Sequence, residues 1–214
     1  RKSEMDALQS QINPHFLYNT LDSIIWMSEA GENDQVVLMT SALAKLLRQS
    51  ISNDREQITV AEEIDYVRSY LTIQKMRYKD KLEYTIDVEE RILDVRIIKF
   101  VLQPLVENAI YHGLKYKETK GNLDIRGYRR GNRVCLVVAD DGAGMEESEL
   151  EHILEKKEKK TKSNGVGVYN VQKRLQLYYG PEYGISYISR KGEGTVATVT
   201  IPLDGGKSNE ETGR

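Results

Sequence analysis

The hydrophobic rhythm of this chain changes once, near residue 80, and no other feature restricts the fold as much. Before that point apolar residues recur at helical spacing: Leu8, Ile12, Leu17, Leu21 and Ile24, then Val37, Leu43, Leu46, Leu47 and Ile51, then Ile64, Val67, Leu71 and Ile73. After it Leu82, Tyr84, Ile86 and Val88 alternate at the two-residue period of a half-buried strand. Two textures in series predict an α+β chain with a helical region over residues 1–80, a second domain over 81–204 and a polar tail over 205–214.

The first helix is expected to run from the start to about residue 30, with Pro14 as a kink inside it and Gly31 as its C-cap. A second helix covers about 34–51, and the capping box Thr59-Val60-Ala61-Glu62 opens a third that reaches about Lys79. The turn between the first two is so short that they must form an antiparallel hairpin, and a lone hairpin leaves apolar surface uncovered. Dimerisation into a four-helix bundle would cover it. In the second domain a helix is expected over Ile97 to Leu114, with Pro104 as its irregularity. A hairpin follows, Leu123 to Arg129 and Arg133 to Ala139 around Gly131-Asn132, then a helix over about 166–179. The strands Ile185 to Ser189 and Thr195 to Ile201 close the domain. Helices inserted between hairpins point to an α/β sandwich, one mixed sheet covered by helices.

Composition excludes several function classes. A net charge of −2 over 214 residues argues against a broadly basic surface and thus against direct nucleic-acid binding. One cysteine, Cys135, allows neither an intrachain disulfide nor a cysteine-based zinc cluster. No apolar run approaches the ~20 residues of a membrane span, and the opening Arg-Lys-Ser-Glu-Met-Asp has no signal-peptide shape. A chain that begins without Met and already in helical rhythm reads as a piece of something longer.

Four stretches carry chemistry. In Asn13-Pro14-His15-Phe16-Leu17-Tyr18-Asn19, His15 and Asn19 stand at i and i+4, so one helical face presents both. Alone, such a histidine is as well explained by packing or solvation. In Val106-Glu107-Asn108-Ala109-Ile110-Tyr111-His112-Gly113 the pair Asn108 and His112 repeats that spacing, and an Asn amide oxygen is a hard neutral ligand suited to Mg²⁺. Ordinary helix polarity is the alternative. Asp140-Asp141-Gly142-Ala143-Gly144 follows an apolar strand, where a carboxylate can accept from an exocyclic amine and glycines admit a flat ring. An acidic turn would look the same. Gly165-Val166-Gly167-Val168-Tyr169-Asn170 opens a helix whose free amides favour phosphate.

In fixed order these stretches resemble the cytoplasmic kinase core of sensor histidine kinases of the LytS/YesM-like group. The likeness extends through Gln11-Ile12-Asn13-Pro14-His15-Phe16, Tyr70-Leu71, Arg77-Tyr78, Leu102-Gln103-Pro104-Leu105-Val106-Glu107-Asn108, Arg174-Leu175 and Gly192-Glu193-Gly194-Thr195, nearly the whole chain. It implies a dimerisation and phosphoacceptor region followed by a Bergerat-type ATP-binding domain, with ATP and Mg²⁺ bound. Carried over by position, His15 is similar to the histidine that receives the γ-phosphoryl group, Asn108 to the Mg²⁺ ligand and Asp140 to the reader of the adenine amine. Gly142 and Gly144 match the glycines beside the base, and Gly165 and Gly167, with Asn170 in the same stretch, those at the phosphate end. Thr195 matches the residue closing the adenine pocket. Asn19 stands where related kinases orient water for dephosphorylating their partner, and Glu107 is expected to position Mg²⁺ or the imidazole. The charged run Glu155 to Lys162 would be a lid over ATP.

The resemblance further implies a homodimer, a response-regulator receiver domain as partner, and a cytoplasmic portion of a bacterial plasma-membrane protein anchored through upstream segments. Three departures stand out. Phe16 occupies the place of an acidic residue found after the phosphoacceptor in larger kinase groups, so no general base is identified. Pro104 stands where related ATPases carry a hydrolytic glutamate, which favours transfer to a side chain over hydrolysis. Tyr111 stands where relatives often carry lysine, and His112 could supply that phosphate contact. The rival expectations are a related ATPase that drives conformational change and a degenerate nucleotide-binding module.

Overall fold

A computed structural model of the chain describes residues 12–51, 55–115, 117–155 and 165–204. The described residues fall into two compact units, one made of those up to 56 and from 64 to 82, the other of those from 57 to 63 and from 83 onward.

In the first unit helices α1 (Pro14–Glu29) and α2 (Asn33–Ile51) pack together as a hairpin. The link is a Schellman turn: Gly31 takes φ +75°, its N–H donates to the Ser28 carbonyl at 3.1 Å, and Glu32 N–H donates to the Met27 carbonyl at 2.9 Å. Pro14 departs from expectation. Among the described residues it opens α1 as its first residue, where a missing N–H leaves no hydrogen bond unmade, and the part of the expected first helix before Ile12 lies outside the described residues. Asn13 caps that end by accepting from His15 N–H at 2.9 Å. Helix α3 (Val60–Tyr78) begins with the predicted capping box, Glu62 N–H donating to Thr59 Oγ1 at 3.1 Å. Within this unit Phe16 is buried against the Tyr70 ring, with centroids 4.9 Å apart, and the Gln74 amide donates to the Tyr70 hydroxyl at 2.9 Å.

The second unit is built on a five-stranded sheet in the order β2 (Leu82–Val88), β4 (Gly121–Arg130), β5 (Arg133–Asp140), β7 (Gly194–Pro202), β6 (Gly184–Arg190). The central strand β5 runs antiparallel to both neighbours, and its last residue, Asp140, stands opposite Leu123 on β4 and Thr195 on β7. Leu123, Ile125, Leu136, Val138, Val199 and Ile201 bury its core face. Helix α4 (Leu102–Asn108) and helix α6 (Gly165–Tyr179) contribute Leu102, Leu105, Val106, Val168, Val171 and Leu175 to buried positions, each worth about 1.5–3 kcal/mol when fully buried. A short helix α5 (Glu147–His152) lies between β5 and α6.

The helix expected from Ile97 begins later. Arg96–Ile98 is instead a strand, β3, paired with β1 (Gln57–Thr59), so that Ile58 opposes Ile97. Helix α4 then starts at Leu102, where the completely buried Glu63 carboxylate accepts from the N–H groups of Phe100, Val101 and Leu102 at 3.0, 2.8 and 2.9 Å. Those donors would otherwise be unpaired at a helix start, and Pro104 falls in the first turn, where its missing N–H is harmless. Desolvation nevertheless holds the Glu63 carboxyl above its ordinary value, against the three amides. Past Asn108 the helix widens into a π-turn, Ala109–Leu114, of the kind often found at functional sites. The expected lid beyond Glu155 and the polar tail lie outside the described residues.

Candidate nucleotide and phosphoacceptor sites

A cavity of about 560 Å³ opens in the second unit at the end of β5. Asn108, His112, Asp140, Gly144 and Thr195 line it together, although they come from one helix, its π-turn, two strands and a loop. Leu105, Ala109, Val138, Ile153 and Ala197 make the rest of its wall largely apolar. A flat, mostly apolar slot with few polar groups is what a heteroaromatic base requires.

Asp140 is held in place by its neighbours. Its Oδ1 accepts from Gly142 N–H at 2.9 Å, and a side chain on Gly113 would come within 2.6 Å of the same oxygen. Burial, aided by the neighbouring charge of Asp141, raises its carboxyl to about 6. Asp141 has a different task. Despite some desolvation it is held below its ordinary value, because the Asn122 side chain and N–H donate to it at 2.7 and 2.8 Å and Lys117 Nζ lies 2.8 Å away. One carboxylate of the pair is therefore committed to the fold and the other faces the cavity.

The loop after β5 folds back on the π-turn. Ala143 N–H donates to the Gly113 carbonyl at 2.9 Å, and a Cβ on Gly142 would run into that same peptide. Gly144 adopts φ +67°, a conformation that favours glycine. Ser189 on β6 ties this loop to β7: its hydroxyl accepts from Met145 N–H at 2.8 Å and lies 2.8 Å from Thr195 Oγ1.

Of the other expected site residues, Gly142 supports the cavity from outside its lining. Gly165, Gly167 and Asn170 sit in the first turns of α6, and Gly167 and Asn170 do not line the described cavity. A Cβ on Gly167 would meet nothing nearer than Pro104 Cβ at 3.8 Å, so chain packing does not by itself require glycine there. Glu107 also lies off the cavity. Burial raises its carboxyl to about 7 while Gln103 Nε2 donates to it at 3.2 Å. Desolvation, helped by Lys115, holds His112 below its usual value, which favours the neutral ring on the cavity wall.

Motif reading missed Met145, Ser148, Glu149 and His152 on the cavity lining. Loop and short-helix residues carry no periodic signal, and only the closure of the fold brings them in. It also missed Tyr187, which looks like an ordinary residue of an alternating strand.

His15 and Asn19 belong to the first unit. The His15 ring is exposed on α1, and the Asn19 amide nitrogen lies 3.3 Å from its Nε2. The buried Phe16 accounts for the residue after the histidine as a packing anchor, and Thr20 below it donates to the Phe16 carbonyl at 2.7 Å.

Residues 93–205 match the family model of histidine kinase-, DNA gyrase B- and HSP90-like ATPases, and residues 3–82 match the histidine kinase model. The chain belongs to this ATPase family. It is 38% identical over 202 residues to the sensor histidine kinase YesM of Bacillus subtilis and 35% identical over 202 residues to the sensor histidine kinase YpdA of Escherichia coli. Each alignment covers 94% of this chain and 34% of the relative, so the chain spans about a third of those proteins. Among solved structures, the histidine kinase domain of the Erythrobacter litoralis EL346 blue-light activated histidine kinase superposes with a TM-score of 0.55 at 15% identity, covering 96% of both chains. That likeness supports the α+β architecture of helices followed by an ATPase-type sheet.

Proposed function

We propose that the chain is the kinase core of a two-component sensor histidine kinase. It transfers the γ-phosphoryl group of ATP to His15 and then to an aspartate of a response-regulator receiver domain. The observation that carries this reading is the cavity that Asp140, at the end of the central strand, lines together with Asn108 and His112 among largely apolar neighbours.

Asp140 accepts from the adenine amine, Thr195 and the Gly142–Gly144 loop close around the base, and Gly165, Gly167 and Asn170 receive the phosphates at the start of α6. The donor set suits Mg²⁺ held mainly by the nucleotide. Among the described residues no cluster of three or more His, Cys, Asp or Glu side chains could hold a metal unaided, and Asn108 offers a single oxygen on the cavity wall. Mg²⁺ ordinarily binds through one or two protein oxygens plus substrate phosphates, whose charge it neutralises. Glu107 positions the Asn108 turn without reaching the cavity.

At the acceptor, a ring-nitrogen lone pair of His15 attacks the γ-phosphorus, the bond to ADP breaks, and the ring proton passes to solvent. His15 is the second residue of α1, so the helix start favours the negative phosphoryl group it would carry. Asn19, one turn on, is placed to orient a water against a phosphorylated partner. Dimerisation would cover the exposed apolar face of the α1–α2 hairpin, where Trp26 is 70% and Val37 64% exposed. No helix among the described residues is long and apolar enough to cross a membrane. A location at the cytoplasmic side of the plasma membrane would come from segments preceding this chain.

The test is incubation with Mg²⁺ and γ-labelled ATP. Acid-labile, alkali-stable label is expected on the parent and absent from His15→Gln. A variant that labels as strongly as the parent, or hydrolysis to free phosphate without labelled protein, would favour the conformational ATPase instead.

A further inference from the structure

The nucleotide cavity contains one polar group that the fold leaves unused. Tyr187, on β6, lines the cavity opposite the small Ala197 of β7, and its hydroxyl is buried. The Asn108 amide acts on this phenol as a hydrogen-bond donor, but not at good hydrogen-bond geometry, and among the described residues no acceptor takes the hydroxyl proton. A buried hydroxyl without a partner is costly and uncommon, and phenylalanine would fill the same wall without that cost. Such a group in a cavity wall is completed by an ordered water or by a ligand.

We propose that Tyr187 is a base-contacting residue, its hydroxyl donating a hydrogen bond to a ring nitrogen of the bound purine beside the amine read by Asp140. This rests on the reading of the cavity as a nucleotide site and adds a specificity determinant to it. Two observations place the contact at the base. On the sheet Tyr187 pairs with Ala197 in the next same-face row to the one that holds Asp140, Thr195 and Ser189, so the tyrosine and the base-reading carboxylate line the cavity from neighbouring rows. The wall around them is otherwise built from Leu105, Val138 and Ala197, which can meet only the faces of a ring. Burial also holds the phenol well above its ordinary value, so it stays protonated and remains a donor throughout the physiological range. Ring nitrogens of a purine are acceptors and its exocyclic amine is a donor. Tyr187 and Asp140 are thus a complementary pair.

The test is calorimetric titration of the parent chain and Tyr187→Phe with ADP, once in EDTA and once with Mg²⁺, together with their melting midpoints without nucleotide. The expected result is about tenfold weaker ADP binding by Tyr187→Phe in both buffers, with an unliganded midpoint equal to or above that of the parent. ADP affinity within twofold of the parent overturns the contact, as does a loss confined to the Mg²⁺ buffer, which would place the hydroxyl at the metal end. A fall in the unliganded midpoint alongside affinity also overturns it, since the hydroxyl would then serve the fold. A parent that binds no ADP in either buffer overturns the nucleotide reading and the contact with it.

Discussion

The Asn19 amide nitrogen lies 3.3 Å from His15 Nε2, one turn along the same helix. With the amide donating, the ring carries its proton on Nδ1 and the Nε2 lone pair points at Asn19. Removing the Asn19 amide should leave labelling of His15 intact while impairing water orientation. Asn19→Ala is expected to autophosphorylate within about threefold of the parent and to dephosphorylate its regulator at least about tenfold more slowly. The readouts are initial rates of label uptake and of label loss from a phosphorylated receiver domain. Equal loss rates for variant and parent would remove Asn19 from that role.

Asp140 is expected to make nucleotide affinity depend on pH. Its carboxyl, raised to about 6, is ionised at pH 7.5 and mostly protonated at pH 5, and the neutral form is the weaker acceptor for an amine. ADP should therefore bind about three- to tenfold more weakly at the lower pH. Asp140→Asn should bind weakly at both values, and subtracting its profile from the parent's removes the titration of the nucleotide's own phosphates. Parallel profiles for the two proteins would rule the carboxylate out as the reader of the base.

Glu107 should appear in stability rather than binding. Burial raises its carboxyl from 4.5 to about 7, so the folded state holds this proton more tightly than the unfolded chain does. Its contribution to stability is present below pH 4.5 and is lost as pH rises to about 7, with an upper magnitude of about 3 kcal/mol. Glu107→Gln keeps an oxygen for the Gln103 amide and removes the titration. The variant should gain on the parent in melting midpoint between pH 5 and pH 8. A constant difference across that range would contradict the shift.

Glu63 is expected to matter for assembly of α4. Its two oxygens accept three backbone N–H groups, whereas glutamine offers one oxygen and two unwanted donors. Glu63→Gln should destabilise the ATP-binding unit by about 2–4 kcal/mol and lower its denaturation midpoint accordingly. A midpoint matching the parent would show that the amides find other partners.

Periodicity alone located α2, α3, α6 and the two hairpins, because each buries one face and that face writes its period into the residues. The capping box at Thr59 and the turn glycine at Gly31 were legible for the same local reason. Local pattern could not separate Asp140 from Asp141, because the two share composition and position. The difference arises from Asn122 and Lys117, which arrive from elsewhere in the second unit to occupy Asp141.

The sequence by itself determined the order of the parts: a helical hairpin bearing His15 and Asn19, then a sheet domain bearing Asn108, Asp140 and the glycines. Tertiary structure alone decided where α4 begins, since Glu63 supplies the acceptors for its first amides and the β1–β3 pair claims Ile97 from the helix. It also decided that Gly113 and Gly142 have no room for side chains and that Tyr187 joins the lining of the cavity. The physical reason is common to all of these. Hydrogen-bond satisfaction and close approach are properties of pairs distant in the chain, whereas caps and periods are properties of neighbours.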